Sequence, residues 1–287
     1  MGKIAYLGRS MMAQFDHTRF ACPNCGSTQS TLISRKFFVT SLRRCEVCQL
    51  QFRTPTDDRS WNPNFYENEY SQGFTTDMPS EESLAGLIKS NFRGEKNWGY
   101  YNDVLTRLGL QPGARIFDFG CSWGYGSYQM LKAGYSIVAF EVATTRRRFA
   151  EEKLRVRTVA NMEETVNDLK LAGTFDCFFT SHVLEHVPSP SNVFRFADSL
   201  LRRHGLFVSF TPNGSQTARQ IFPQWDKWWG QVHPNFIDDR FLDHAFRHLP
   251  RVVGSSPVGR IEFPSGPVMR RLDQLTGAEL FFSARKG

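Results

Sequence analysis

Between residues 115 and 210 the chain alternates short apolar runs with stretches of helical spacing, and this pattern constrains the fold most. The apolar runs lie at 115–119 (Arg115-Ile116-Phe117-Asp118-Phe119), 136–140, near 156–160, at 175–181 and at 206–210. Helical spacing occupies 126–133, 144–154, 163–170 and 190–203 between them. Strands separated by helices cannot pair as hairpins. They predict a parallel sheet with helices on both faces and right-handed crossovers. Two later apolar runs, near 251–255 and 279–284, extend the pattern, with a helix expected at 238–248 before them. With 287 residues and 40% apolar content, the chain has room for one catalytic-size domain and a small module.

Ligands of such sheets sit beyond the carboxyl ends of the strands. There the first run enters a glycine-rich turn, Gly120-Cys121-Ser122-Trp123-Gly124-Tyr125-Gly126, which opens a helix. Glycines let backbone approach a ligand and take positive φ. Glu141 closes the next strand, where a carboxylate can accept from both hydroxyls of a ribose. The glycines at 120, 124 and 126 do not match the G-x-G-x-x-G spacing of a dinucleotide site. Asp118 is also badly placed beside a pyrophosphate. It suits a cofactor that carries a cationic amino group and a sulfonium.

Asp118-Phe119-Gly120-Cys121-Ser122-Trp123-Gly124-Tyr125-Gly126 resembles the first motif of class I S-adenosylmethionine-dependent methyltransferases, D-x-G-x-G-x-G, with Ser122 where Gly is commoner. Glu141 resembles that family's ribose-binding acid, and Asn161-Met162-Glu163 its adenine-packing segment. Phe175-Asp176 through Ser181-His182-Val183-Leu184-Glu185-His186-Val187 resembles its fourth motif, and 205–213 its fifth strand and loop. The resemblance covers residues 93–287. It implies a Rossmann-like, doubly wound, seven-stranded sheet, mostly parallel with an antiparallel last strand. It also implies S-adenosylmethionine as cofactor, held by Asp118, Gly120, Cys121, Gly124, Glu141, Asn161, Met162 and Ser181.

Cys22-Pro23-Asn24-Cys25 and Cys45-Glu46-Val47-Cys48 are two C-x-x-C knuckles 19 residues apart, a zinc spacing. Two thiolates on each of two tight turns complete a tetrahedron, leaving no open position, so the metal is expected to be structural. Short strands are expected at 31–33 and 37–39. So small a segment lacks a core of its own, and the metal supplies stability on the order of 10 kcal/mol. Cys121 and Cys177 read as small buried hydrophobes. The expected organisation is a tail at 1–19, a zinc ribbon at 20–54, a linker and helical cap at 55–92 and the methyltransferase-like domain at 93–287. The ribbon, the Tyr66-Glu67-Asn68-Glu69-Tyr70 stretch and the following domain together resemble bacterial sugar and natural-product methyltransferases.

Methyl transfer from an activated cofactor is mainly a matter of alignment; a base is needed when the acceptor must lose a proton. His233 and His186 are the candidates. In the sugar C-methyltransferases a Glu-His pair carries the base, and Val232 stands here where that Glu would be. Each histidine also has a plain reading, as a loop-bonding side chain. The aromatic stretch 222–236, with Phe222, Trp225, Trp228, Trp229 and Phe236, reads equally as acceptor-pocket lining or as core. Arg146-Arg147-Arg148 reads as solvated charge on a helix surface.

The net charge of +7 reads equally as a solvated basic surface or as a sign of an anionic partner, and the acceptor expected is a small or carrier-linked metabolite such as a nucleotide-linked sugar or polysaccharide precursor. RNA or tRNA methylation, with the ribbon and basic surface as the nucleic-acid contact, is an alternative. The chain lacks a basic stripe and the N/D-P-P-Y/F motif that base-amine methylation uses. A second alternative is a non-catalytic cofactor-binding protein, which intact Asp118, Gly120, Gly124 and Glu141 argue against. No apolar run approaches membrane-spanning length and no secretory leader is apparent, so a cytoplasmic location is expected.

Overall fold

The structure is a computed structural model and describes residues 3–57 and 77–287. The Tyr66–Tyr70 stretch and most of the expected linker lie outside the described residues. The N-terminal part contains α1 (Lys3–Met12) and strands β1 (Ser30–Lys36), β2 (Thr40–Cys45) and β3 (Gln51–Thr54). Then follow α2 (Glu81–Lys89), α3 (Gly99–Arg107), β4 (Arg115–Phe119), α4 (Tyr125–Lys132), β5 (Ser136–Phe140), α5 (Thr144–Leu154) and β6 (Arg157–Val159). After them come α6 (Met162–Asn167), β7 (Phe175–Ser181), α7 (Pro190–Leu200) and β8 (Leu201–Pro212). The remainder holds α8 (Gln216–Ile221), β9 (Asn235–Phe236), α9 (Asp239–Ala245), β10 (Arg251–Ser255), β11 (Met269–Arg271) and β12 (Glu279–Arg285).

The large sheet runs β11-β10-β12-β8-β7-β4-β5-β6. Strands β6, β5, β4, β7 and β8 are mutually parallel, and β12 is antiparallel to both β8 and β10. The seven expected strands are thus present, and β11 adds an eighth along the edge of β10. Side-chain alternation explains why this sheet is covered on both faces. Phe117, Phe119, Phe178 and Phe207 point into one apolar cluster, while Ile116, Cys177, Phe179 and Phe210 point into the other. Phe117 stacks on Phe178 at 5.5 Å, and Phe119 on Phe140 at 4.8 Å.

Some boundaries differ from the sequence reading. The helix expected to 203 stops at Leu200, and Leu201–Gly205 already belongs to β8, with His204 at φ +64°. Residues 37–39 are not a strand. Phe37 and Phe38 take φ of +53° and +59° and turn the hairpin between β1 and β2. Arg146 is buried rather than solvated.

The small sheet has the order β1-β2-β3-β9, so its fourth strand comes from the far end of the chain. Gln51 pairs with Phe236 and Phe52 with Asn235. Cys22, Cys45, Cys48, Leu50 and Phe52 belong to the same apolar cluster as Phe178, Ile237 and Leu242. The cysteine-bearing segment therefore shares a core with the large sheet.

Candidate active site

Strand register gathers most of the expected cofactor residues. Asp118 lies beside Ala139 of β5 and Phe179 of β7, so Gly120, Glu141, Asn161 and Ser181 all fall at the carboxyl ends of neighbouring strands. The turn after β4 folds back on β5, where the N–H groups of Gly120 and Cys121 both donate to the Phe140 carbonyl, at 2.8 and 3.0 Å. Gly120 has φ of +88°, and a Cβ there would sit 2.4 Å from Cγ2 of Val183. Gly124 has φ of +87°, and its Cβ would meet Ala150 at 2.8 Å. Both positions need glycine for backbone conformation and for close packing at once.

Asp118 is buried, and its carboxylate accepts from the Ser127 hydroxyl. Burial pushes its pKa up to about 7; the Ser127 bond opposes this and the Glu141 charge adds to it. Glu141 is also buried. Its two oxygens accept from Ser122 N at 3.0 Å and Ala143 N at 2.9 Å. Burial raises its pKa against those backbone bonds and the Arg146 charge. Two buried carboxylates thus flank one glycine turn. Ser122 itself takes φ of +53°, and its buried Oγ has no hydrogen-bond partner.

Other expected members are placed differently. Asn161 is exposed and caps α6, accepting from Glu163 N and Glu164 N at 2.8 and 3.2 Å. Met162 packs half-buried on the core. The Cys121 thiol is buried, which pushes its pKa well up. Ser181, half-buried, is a partner of the Tyr101 hydroxyl.

His186 and His233, 47 positions apart in sequence, are brought into ring contact, with centroids 4.7 Å apart at 71°. The Nδ1–H of His186 donates to Val232 O at 2.7 Å, and that of His233 to Trp228 O at 2.6 Å. In the neutral rings the lone pair then lies on Nε2. Burial lowers the His186 pKa to about 4 despite the attraction of Glu185. Glu185 is fully buried. Burial alone would raise its pKa, but His182 and His186 outweigh that and hold it near 2. His182, at φ +54°, places Nε2 2.8 Å from Glu279, which also accepts from Tyr101 at 2.9 Å. Burial works against charge on this ring, yet the Glu185 and Glu279 carboxylates prevail and raise its pKa.

The sequence reading did not single out Glu185, His182, Tyr101 or Glu279. The Glu185-His186 pair directly after a buried strand is a usable signal for the first. Nothing local marks Glu279, whose role depends on β12 pairing with β8. The aromatic stretch resolves toward core. Trp225, Trp229 and Phe236 are buried against Leu42 of β2, with Phe222 and Trp228 packed on them.

The four knuckle thiols converge as well. Cys22 and Cys48 Sγ lie 3.6 Å apart and Cys25 and Cys45 Sγ 3.5 Å apart. All four donors fall within 4.8 Å of one another. Two sulfurs on one tetrahedral zinc are about 3.8 Å apart, given Zn–S bonds of about 2.3 Å, whereas a disulfide needs about 2.05 Å. The spacing fits a shared ion.

A family model for a methyltransferase domain matches residues 93–249, more than half of the chain. The chain belongs to that methyltransferase family. The ubiquinone biosynthesis O-methyltransferase of Xanthomonas campestris is 31% identical over 126 residues, covering 40% of this chain and 49% of that protein. The cyclopropane-fatty-acyl-phospholipid synthase of Escherichia coli is 26% identical over 136 residues, covering 46% of this chain and 34% of that protein. This chain spans about half the length, or less, of the curated relatives it matches. Among solved structures, the plantazolicin methyltransferase, crystallised in complex with a pentazolic desmethylPZN analogue and S-adenosylhomocysteine, aligns with a TM-score of 0.50. It is 11% identical and covers 72% of this chain and 91% of its own, a likeness of fold. No helix among the described residues is long and apolar enough to cross a membrane.

Proposed function

We propose that this chain transfers a methyl group from S-adenosylmethionine to a small-molecule or carrier-linked acceptor. One observation carries the reading: Asp118 and Glu141, both buried, flank a glycine turn at the carboxyl ends of adjacent parallel strands. Two buried carboxyl groups beside a glycine turn suit a ligand that combines cationic groups with a ribose. The orphaned Ser122 Oγ fits as a further polar contact. When bound, the cofactor supplies a methyl already activated by its sulfonium.

The chain's own residues would then bind and orient. Asp118 answers the cationic amino group. Glu141, whose oxygens keep lone pairs beyond their backbone bonds, accepts from the ribose. Gly120, Cys121 and Gly124 form the turn beside the cofactor, and Met162 and Asn161 flank its base. On the acceptor side we place His186 and His233, whose Nε2 lone pairs can take a proton from an acceptor hydroxyl or bind a cation. Cys22, Cys25, Cys45 and Cys48 hold a structural zinc. The finer reading, a nucleotide-linked sugar or polysaccharide precursor as acceptor, draws on the ribbon-plus-domain resemblance and on the net charge of +7.

Calorimetric titration of S-adenosylmethionine tests the reading. The parent is expected to bind one equivalent. Glu141→Ala, checked for folding by circular dichroism, is expected to bind at least tenfold more weakly, since each charged hydrogen bond contributes about 1.5–3 kcal/mol. Absence of binding by the parent overturns the proposal. Labelled-methyl transfer into acceptor pools then separates small molecules from bulk tRNA.

A further inference from the structure

The cluster around Glu185 holds a buried carboxylate oxygen that imidazoles meet only at ion-pair distance. Glu185 is fully buried; Oε2 accepts from Thr211 Oγ1 at 3.0 Å, while Oε1 is buried with no hydrogen-bond partner. A buried carboxylate oxygen without a close hydrogen bond is costly, and His182 offsets that cost in part across 3.5 Å. The groups around Oε1 are imidazoles. His186 Nε2 lies 3.9 Å away, and His182 Nδ1 lies 3.5 Å away with its other nitrogen engaged by Glu279. One donor atom from each of Glu185, His186 and His233 falls within 4.8 Å of the others.

Both His186 and His233 direct Nδ1–H to a backbone carbonyl. That fixes tautomer and ring orientation with the lone pair on Nε2, the outer arrangement that metal-binding histidines use. The backbone holds the two donor segments together as well. Asn235 N donates to the Glu185 carbonyl at 3.2 Å, and Asn235 Nδ2 to the Val187 carbonyl at 2.5 Å. Two donors on one ion with bonds of about 2.1 Å lie roughly 3.0–3.4 Å apart. With all three donors within 4.8 Å of one another, no pair is more than about 1.8 Å from ligating separation, which small side-chain shifts cover.

We propose that Glu185, His186 and His233 hold a divalent first-row transition-metal ion, separate from the ribbon metal, with its remaining positions open to an oxygen of the acceptor. Two imidazoles and one carboxylate suit Mn2+, Fe2+, Co2+ or Zn2+ better than Mg2+ or Ca2+, which prefer all-oxygen sites. The acceptor half of this statement rests on the methyltransferase reading; the metal half does not.

Mn2+ is the probe of choice, because a four-thiolate ribbon disfavours it. Full-length protein, stripped of loosely held metal, would be titrated with Mn2+ and free ion followed by electron paramagnetic resonance. One equivalent is expected in the parent. His233→Ala, at a half-buried position, and Glu185→Gln should each weaken binding tenfold or more while thermal melts show both folded. Metal content after Co2+ dialysis gives a second measure: two equivalents in the parent, one in each variant, with the sulfur-to-cobalt charge-transfer band of the ribbon unchanged. No Mn2+ binding by the parent, or unchanged binding in both variants, overturns the site. S-adenosylmethionine titration on the same preparation shows separately whether the cofactor reading stands.

Discussion

Replacing Asp118 by Asn tests the charge reasoning on both stability and binding. The Asp118 pKa lies near 7, against an ordinary 3.8, because burial disfavours the ion. That gap corresponds to at most about 4 kcal/mol. Below pH 3.8 the group is protonated in both folded and unfolded chains and costs nothing. Between 3.8 and about 7 the unfolded chain ionises and the folded chain does not, so stability falls as pH rises. Above 7 the loss is complete. Asp118→Asn never ionises, so the variant should match the parent near pH 4 and exceed it at pH 8, by about 2–4 kcal/mol. A cationic cofactor reverses the preference, because it binds the ionised form. Affinity in the parent should weaken about tenfold for each pH unit below 7, with a proton released on binding. Calorimetry at pH 5.5 and 7.0 in two buffers of different ionisation enthalpy reads both quantities. The Asn variant should bind weakly with a flat profile. Equal affinity of the parent at the two pH values, or an Asn variant that binds as tightly as the parent, refutes the argument.

Two further substitutions probe the frame of the site. Arg44 pairs at 2.6 Å with Asp238, which is almost fully buried and caps α9 through Phe241 N. Arg44→Met leaves that carboxylate uncompensated and should cost about 3–5 kcal/mol at pH 8 in denaturant melts, less at low pH where Asp238 protonates. A loss independent of pH counts against the pair. A Cβ on Gly126 would meet the Trp98 ring at 2.4–2.5 Å, so Gly126→Ala should displace that buried indole. A net loss of about 1–2 kcal/mol is expected after the gain in helix propensity, with a shift in tryptophan emission. Unchanged melting and emission would show that the contact is slack.

What was legible in the sequence was what local pattern encodes. Short apolar runs separated by helical stretches gave the parallel strands, because a buried strand needs apolar residues on both faces, as Ile116-Phe117 and Cys177-Phe178 show. The knuckles, the glycine turn and Glu141 were legible because their chemistry lies within a few residues. Long-range features were not. Phe37-Phe38 looks like strand by composition, and its turn is set by the β1–β2 register. Arg146 looks solvated in a triple-arginine run, but its helix packs toward Glu141. His186 and His233 could be named singly, yet their contact, and the Glu185 oxygen between them and His182, exist only once β7 and the 213–239 segment are packed together.

That packing suggests why a ribbon precedes such a domain. The segment that bears His233 has little regular structure of its own, and the ribbon holds it along its length. Gln51 donates to the Gly214 carbonyl at 2.8 Å, and Arg219 to the Ile33 carbonyl at 2.8 Å. Ser34 donates to Asp226 at 2.7 Å, Lys36 bonds the Trp229 carbonyl, and Arg53 N donates to the Pro234 carbonyl at 2.8 Å. Strand β3 then pairs with β9 immediately after His233, and Asn235 of that strand bonds the Glu185 carbonyl. The second knuckle, at 45–48, begins the connection from β2 to β3, and the first precedes β1, so their geometry is transmitted through one shared sheet to the histidine pair. A metal bound there would be structural in its ligation and yet set the position of the histidine pair, because the sheet it organises includes β9 beside His233.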